Sequence, residues 1–308
     1  MPQASWILSE PYAGLQAQAL GLAEAAGLSP ELRPLVPRAP WRWFAAAHWP
    51  APLRAVDLPG TPPGLVFTPG GVGAAVGAAL RRRGQRVVQV QNPRMDIRRF
   101  DLVVVNRHDE LTGPNVLVTR TALHRATPER LAAARAEWAP RLAHLRRPLV
   151  AVLVGGSNGR FQLEAAEGAA LARDLAALIR RDGVSLAITP SRRTAPAVRR
   201  ILEETLAPLG AWVWDMQGEN PYFGLLGLAD GIVATMDSVS MISEAVATEV
   251  PVMVVELPGR SRRIGLFLRG LIADGRVRPF HGRFETWTVR PLDDTREAAE
   301  EMRRRLGI

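Results

Sequence analysis

The chain has 308 residues, of which 47% are apolar, enough for two hydrophobic cores of ordinary domain size. It contains no cysteine, which excludes disulfides, thiolate catalysis and cysteine-based metal sites. Its formal net charge of +9 rests on arginine, since no lysine occurs, and with the many Ala, Gly and Pro residues this indicates the codon bias of a GC-rich genome.

The basic residues are spread along the chain and form neither a zinc-finger nor an RRM pattern. No nucleic acid is therefore expected as a partner, whereas an anionic small molecule or an anionic membrane surface fits the charge. Residues 1–10 lack the charged-then-apolar order of a signal peptide, and no apolar run reaches the ~20 residues of a membrane-spanning helix. The expected location is the cytoplasm, with peripheral membrane contact left open.

Short apolar runs separated by helical segments make up the first half of the chain. Residues 33–63, rich in Pro and Trp, interrupt this pattern and predict an irregular segment or a short hydrophobic insertion. The predicted strands are 6–8, 64–68, 86–90, 100–105 and 116–118, and the predicted helices are 14–23, a small-residue segment ending at 83, and 127–144.

A break in the pattern at 146–148 predicts domains at 1–147 and 148–292, followed by a C-terminal helix at 293–308. Continuous apolar strands that alternate with amphipathic helices predict parallel sheets buried on both faces. The predicted fold class is therefore α/β with two Rossmann-like domains, in which a C-terminal helix often returns to the first domain. The strands predicted in the second half are 149–154, 184–188, 211–214, 231–234 and 251–255, and the helices are 162–181, 194–207, 221–228 and 238–247.

A glycine-rich turn of Gly155, Gly156, Ser157 and Asn158 follows the strand at 149–154 and precedes a helix. Glycines let backbone amides approach a phosphate closely, Ser157 offers a hydroxyl, and the next helix offers free amides at its positive end. The spacing matches neither a P-loop nor G-x-G-x-x-G, so an ordinary strand-to-helix turn is an equal alternative.

A second polar loop, formed by Ser191, Arg192, Arg193 and Thr194, also lies between a strand and a helix. Hydroxyls beside two guanidinium groups at a helix start are chemically suited to a diphosphate. Because ligands gather at the carboxyl ends of parallel strands, we expect this loop to meet the first one. The alternative is a capped helix with solvated arginines.

A serine-rich helix start follows the strand at 231–234. Asp237 and Ser238 are alternative candidates for the N-cap, and Ser240 and Glu244 lie four residues apart on one helical face, with Ser243 in the same run. The Glu244 carboxylate is suited to accept both hydroxyls of a ribose, as acidic residues do in dinucleotide sites. The alternative is a capped helix with Glu244 in solvent.

Two further places are candidates for chemistry. Asn220 precedes another helix and is a candidate for lining a base or sugar pocket. His108 and Asp109 follow the strand at 100–105 and are candidates for the general base, although adjacent side chains point apart in extended chain and imply no relay. The histidines show no metal-ligand spacing, and no metal site is expected.

The run from Asn220 to Ala245, with Asp237-Ser238-Val239-Ser240-Met241-Ile242-Ser243-Glu244 at its end, resembles the ELM1 family. This family is named for a plant mitochondrial fission factor and has many bacterial relatives. Residues 91–94, 108–109, 122–125 and 191–194 resemble it as well, so the resemblance covers about 10–260. The family is similar to GT-B glycosyltransferases, which implies nucleotide-sugar contacts from Gly155, Gly156, Ser157, Arg192, Ser240 and Glu244.

The resemblance implies a GT-B glycosyltransferase with a UDP-, GDP- or CMP-linked sugar donor and an envelope or lipid-linked acceptor. No cofactor or metal would be required, because Arg192 and Arg193 would balance the charge of the leaving diphosphate. The donor would lie on the second domain and the acceptor on the first. The alternative is a non-catalytic, membrane-associated adaptor of the mitochondrial-fission type. An epimerase of the dinucleotide-binding kind is disfavoured, since the chain has no lysine and no N-terminal dinucleotide fingerprint.

Overall fold

The computed structural model describes residues 3–58 and 60–308. Two compact units divide the chain: the first contains Met1–Arg125 and Asp293–Ile308, and the second contains Ala126–Leu292. The helix predicted at 127–144 spans Pro128–Trp138 and belongs to the second unit, although the sequence pattern places it before the break at 146–148. Each unit has a six-stranded parallel sheet, which confirms the α/β class with two Rossmann-like domains.

Strands and helices alternate along most of the chain. The first unit contains β1 (Ala4–Ser9), α1 (Ala13–Ala25), β2 (Ser29–Pro34), α2 (Pro52–Ala55), β3 (Leu65–Pro69), α3 (Gly70–Arg81), β4 (Arg86–Val90), β5 (Leu102–Asn106) and β6 (Val116–Thr119). The second contains α4 (Pro128–Trp138), β7 (Leu149–Val154), α5 (Ala165–Asp182), β8 (Ser185–Pro190), α6 (Pro196–Leu206), β9 (Trp212–Val213), α7 (Tyr222–Leu228), β10 (Gly231–Thr235), α8 (Val239–Val246), β11 (Val252–Val255), α9 (Arg262–Ala273) and β12 (Val277–Pro279). The last helix, α10 (Asp294–Leu306), lies in the first unit.

The sheet of the first unit has the strand order β2-β1-β3-β4-β5-β6. Strands β3 and β5 are buried along their whole length, as their continuous apolar sequences predict. Strand β2 was not predicted, because Ser29–Pro34 is polar, mostly exposed and contains two prolines. It pairs with β1 along all six residues. The extended conformation therefore comes from pairing with a neighbouring strand and not from an apolar sequence pattern.

Helix α10 returns to the first unit, as predicted for the C-terminal helix. Its residues Ala298, Ala299 and Met302 are buried in the same core as α1. At its start, the buried Asp294 carboxylate accepts hydrogen bonds from the Thr121 backbone N–H (2.9 Å) and from Arg120 Nε (2.8 Å). These contacts join the C-terminal end of the chain to the segment that follows β6.

The sheet of the second unit has the strand order β12-β11-β10-β7-β8-β9, and all of its strand pairs are parallel. The strands at 149–154, 231–234 and 251–255 form as predicted, whereas α9 and β12 were not predicted. Helices α4 and α7 pack so closely that a Cβ atom at Gly227 would lie 2.5 Å from the Leu131 carbonyl oxygen, and only glycine fits there. Throughout residues 3–58 and 60–308, no helix combines the length and apolarity needed to cross a bilayer.

Candidate functional site

Three loops of the second unit leave the sheet at the same edge. Strands β10, β7 and β8 are parallel neighbours, so the loops that follow them begin side by side at their carboxyl ends. This edge is where parallel α/β sheets bind ligands. The three polar loops predicted from the sequence, near 156, 192 and 240, therefore meet.

A buried carboxylate, that of Asp237, holds these loops together. Its side chain is 0% exposed and forms an ion pair with Arg193 (2.7 Å). It also accepts hydrogen bonds from the Gly156 backbone N–H (3.1 Å) and from the Thr235 hydroxyl (2.6 Å). The Thr235 hydroxyl in turn accepts from the Gly155 N–H (2.8 Å). The amides of the glycine-rich turn thus bind groups of the protein itself.

The two glycines are required by the close approach of the loops. A Cβ atom at Gly155 would overlap the Asp237 carboxylate, and one at Gly156 would overlap the backbone of Arg193. From the sequence, the approach of a phosphate and an ordinary strand-to-helix turn are equal alternatives for these glycines. The structure gives them a reason that needs no ligand.

Most hydroxyls of the loops are also engaged within the protein. Ser191 Oγ donates to the Gly155 carbonyl (2.9 Å), and Thr194 Oγ1 donates to the carbonyls of Val154 (3.1 Å) and Gly155. Arg193 donates to the Gly156 carbonyl (3.1 Å) as well as binding Asp237. These contacts fasten the loop after β8 to the loop after β7.

The remaining polar residues of the loops include several caps. Ser157 Oγ donates to Glu164 (2.6 Å), and Asn158 Nδ2 donates to the Asp237 carbonyl (3.3 Å). Ser238, one of the two predicted alternatives, is the N-cap of α8 and accepts a hydrogen bond from the Met241 N–H (3.3 Å). Asn220 accepts from the Tyr222 N–H (3.0 Å) just before α7, and the Ser243 side chain is fully buried.

Two of the predicted contact groups are left for a ligand. Arg192 is exposed, and it has no hydrogen-bond or ion-pair partner in the described part of the chain. The half-buried Ser240 hydroxyl, in the first turn of α8, likewise has none among residues 3–58 and 60–308. Arg160 and Arg260 are exposed nearby, where an isolated bridge pairs Phe161 with Gly259. A guanidinium, a hydroxyl and free helix-start amides can bind an anion.

Glu244 points toward α7 rather than into open solvent. It accepts a hydrogen bond from the Tyr222 hydroxyl (2.6 Å). Burial raises the pKa of Glu244 to about 7, and the Tyr222 hydrogen bond opposes this effect only in part. Near neutral pH the Glu244 side chain is therefore present both as the neutral acid and as the carboxylate. The carboxylate can accept hydrogen bonds from hydroxyl groups such as those of a ribose.

The two candidate bases lie in the first unit, after β5. His108 is 6% exposed, and Asp109 Oδ2 accepts a hydrogen bond from the Asn106 N–H (3.3 Å) in a capping box. The structure thus gives Asp109 a local capping contact and buries most of the His108 ring.

Comparisons with known sequences identify the family. The family model described as Mitochondrial fission ELM1 matches residues 13–306. The chain belongs to the ELM1 family. The Mitochondrial fission protein ELM1 of Arabidopsis thaliana is 34% identical over 265 residues, which are 76% of this chain and 61% of the plant protein. The chain thus spans less than two thirds of the length of its plant relative.

Several solved structures similar to this ELM1-family chain are named as enzymes that act on nucleotide sugars. The UDP-GlcNAc 2-epimerase from Neisseria meningitidis bound to UDP-GlcNAc matches with a TM-score of 0.58 at 12% identity, over 99% of both chains. A UDP-glucosyltransferase from Polygonum tinctorium matches with a TM-score of 0.53 at 14% identity, over 99% of this chain and 94% of that one. At these identities the likeness establishes the fold, which is the GT-B fold with its two Rossmann-like units.

Sequence reasoning missed the central residue of this candidate site. From the sequence, Asp237 is predicted only as an alternative cap, and Thr235 is not assigned to the site. Asp237 lies two residues after the end of an apolar strand in a parallel sheet, which was a signal for a buried functional group. Its partner Arg193 is 44 residues away, and only the fold brings the two together.

Proposed function

We propose that this ELM1-family chain binds a UDP-, GDP- or CMP-linked sugar on its second unit and transfers the sugar as a metal-independent glycosyltransferase. The observation that carries the proposal is the meeting of three loops that leave Arg192 and Ser240 unpaired, among the described residues, beside the start of α8. The Asp237 contacts support it further, because they fix these loops before any ligand arrives.

In this proposal each free group has a separate task. The Arg192 guanidinium and the α8 amides stabilise the charge that develops on the leaving phosphate. Ser240 orients the phosphate, and the ionised Glu244 carboxylate accepts hydrogen bonds from the ribose hydroxyls. Arg193 supports the loop through Asp237 rather than contacting the donor directly. The general base is assigned to His108 or Asp109, the acceptor to the domain at 1–147 and the donor to the domain at 148–292.

The acceptor is proposed to be an envelope or lipid-linked molecule. The net charge of +9 favours a negatively charged surface, and a lipid-linked acceptor would bring the protein to a membrane. Peripheral membrane association is therefore part of the proposal.

A non-catalytic adaptor of the mitochondrial-fission type is the second candidate. The internal pairing of Ser191, Thr194 and Arg193 favours it, because these groups are not available to a ligand. The capping contact of Asp109 favours it also, because a candidate base is engaged elsewhere. Such a protein would keep the fold and bind a partner without turnover.

Titration calorimetry with UDP, GDP and CMP tests donor binding. One of the three should bind, and Arg192→Ala should weaken it by about tenfold or more, since a charge-assisted phosphate contact is lost. Arg180→Ala is the matched control, because Arg180 is an exposed arginine at the C-terminal end of α5. Equal affinities for the two variants, or no binding to any nucleotide, would count against the donor site.

Product analysis then separates the functions. A transferase releases nucleotide from the donor sugar only when an acceptor is present, for example in a membrane lipid extract. An epimerase converts UDP-GlcNAc to its 2-epimer without releasing nucleotide. Nucleotide binding with neither reaction would favour the adaptor.

A further inference from the structure

The segment between β2 and β3, residues 35–58, forms a loop that we call the tryptophan loop. Its base is closed by a bridge between Pro37 and Val56 and by a hydrogen bond from the Arg38 N–H to the Ala55 carbonyl (2.8 Å). Leu35 is fully buried at its start, and this anchors the loop to the core of the first unit. The loop is therefore an ordered part of the structure.

Inside the loop, one tryptophan is buried and contacts a second one. Trp49 is 6% exposed, its indole N–H donates to the Phe44 carbonyl (3.1 Å), and its ring lies 6.5 Å from that of Trp41. This hydrogen bond fixes the backbone at Phe44. Trp49 therefore belongs to the core, and it holds in place the residues that lie farther out along the loop.

At its tip the loop presents large apolar side chains to solvent. Trp43 is 67% exposed and Phe44 is 60% exposed, and Val36 on the same loop is 62% exposed. Adjacent exposed aromatics at a fixed loop tip are unfavourable in water unless another phase or surface receives them. Tryptophan is also the side chain that favours the interface between lipid and water.

The charge of the loop favours an anionic surface as the one that receives them. The tryptophan loop contains three arginines, Arg38, Arg42 and Arg54, and one acidic residue, Asp57, which forms an ion pair with Arg38 (3.3 Å). The Arg42 guanidinium lies 5.0 Å from the centre of the Trp43 ring, and neither Arg42 nor Arg54 forms an ion pair within the described residues. Cationic side chains beside exposed aromatics complement an anionic lipid headgroup layer.

We infer that the tryptophan loop docks the first unit on an anionic lipid bilayer, with Trp43 and Phe44 inserted among the headgroups and Arg42 and Arg54 binding lipid phosphates. A lipid surface fits better than a protein partner, because a tip of a few side chains is far smaller than the ~800 Å² that each partner buries in a standard interface. This inference rests on the membrane part of the proposed function and is independent of nucleotide binding by the second unit.

Co-sedimentation of the full chain with vesicles tests the inference. We expect binding to vesicles that contain phosphatidylglycerol, weaker binding as salt rises, and little binding to pure phosphatidylcholine. The double variant Trp43→Ser/Phe44→Ser, and separately Arg42→Glu, should each lower the fraction bound to anionic vesicles by about tenfold or more. Both changes are at exposed positions, so the melting temperature should stay close to that of the parent.

Matched controls keep the test specific. Tyr12→Ser removes an aromatic residue that is 61% exposed in the same unit but outside the loop, and Arg180→Glu reverses a charge in the second unit. Both should retain vesicle binding, as should Arg192→Ala, while Trp43→Ser/Phe44→Ser should retain nucleotide affinity. The inference is overturned if the double variant binds vesicles like the parent, or if the parent binds none. It is also overturned if the parent is a dimer that the double variant converts to a monomer without any effect of lipid.

Discussion

Glu244 is the residue whose ionisation bears most directly on ligand binding. Its pKa is raised to about 7 by burial, so the carboxylate that would accept ribose hydroxyls is only half formed at neutral pH. The Tyr222 hydroxyl donates a hydrogen bond to this carboxylate. When a ligand binds, Tyr222 would either share the carboxylate with the ligand or lose its hydrogen bond. The site is therefore expected to respond to pH in the range where most carboxylates do not.

We predict that affinity for a nucleotide sugar increases as pH rises from 6 to 8. If only ionised Glu244 binds, the gain is about tenfold, because the competent fraction rises from about a tenth to nearly all. The measurement is calorimetry with UDP-GlcNAc or the nucleotide sugar that binds best, whose diphosphate linkage does not titrate in this range. The Glu244→Gln variant should bind the nucleotide sugar weakly at both pH 6 and pH 8. If the affinity of the parent protein is the same at the two pH values, Glu244 does not contact the donor.

His124 is a second residue with an unusual environment. It lies after β6, is 2% exposed, and neither ring nitrogen has a hydrogen-bond partner in the described part of the chain. Burial lowers its pKa to about 4, and the nearby carboxylates of Asp293 and Asp294 only partly oppose this. The folded protein therefore keeps this histidine neutral, whereas the unfolded chain protonates it near its ordinary pKa of 6.5.

Acid should therefore destabilise the protein through His124. Since the unfolded state binds the extra proton between about pH 6.5 and 4, stability that is fully present above 6.5 is lost as pH falls through this window, by up to about 3 kcal/mol. Urea unfolding at pH 7.5 and 5.0 measures the loss, and His124→Leu should reduce it. His281→Leu, at an exposed histidine, should leave it unchanged; an equal acid response in all three proteins would contradict the assignment.

At the scale of the element, α8 is held at both ends. Ser238 caps its start, and the buried Arg276 guanidinium binds carbonyls at its end: Val246 (3.0 Å), Thr248 (2.6 Å) and Val250 (3.0 Å). A cation at a helix C-terminus opposes the negative end of the helix dipole. This clamp fixes the helix that carries Ser240 and Glu244.

Arg276→Met should therefore cost about 3 kcal/mol or more of the free energy of unfolding, because several buried carbonyls lose their donor. Burial lowers the pKa of Arg276 to about 10, so the arginine stays charged at neutral pH. Arg276→Lys should recover part of the loss, since one ammonium reaches fewer carbonyls. Arg269→Met, at an exposed arginine of α9, is the control for denaturant unfolding; equal stability of the two methionine variants would contradict the clamp.

Across the whole molecule, the strands that are buried on both faces were predictable from the sequence. Strands such as β7 and β10 are continuous apolar runs, and parallel sheets bury them without help from polar residues. Strand β2 was not predictable in this way, because its exposed and proline-containing residues become extended by pairing with β1. Patterns within the sequence reveal burial, but they do not reveal an edge strand that depends on its neighbour.

The candidate site was predictable in its position but not in its side-chain contacts. Loops that follow parallel strands lie at one edge, which brought the regions near 156, 192 and 240 together as expected. The sequence could not show that Arg193 pairs with Asp237 or that Thr194 bonds the end of β7, because these contacts join distant segments. Of the side chains predicted to bind a ligand, some form these internal contacts and build the site, and the others remain free for a ligand.

Hydrogen exchange of the intact protein, with and without the nucleotide that binds best, tests the central claim most directly. We predict slower exchange in the nucleotide complex at three places in the second unit: the loops at 155–160 and 191–195 and the start of α8 at 239–244. Protection confined to other regions, or unchanged exchange at all three places under saturating nucleotide, would contradict the claim that these loops form one anion-binding site.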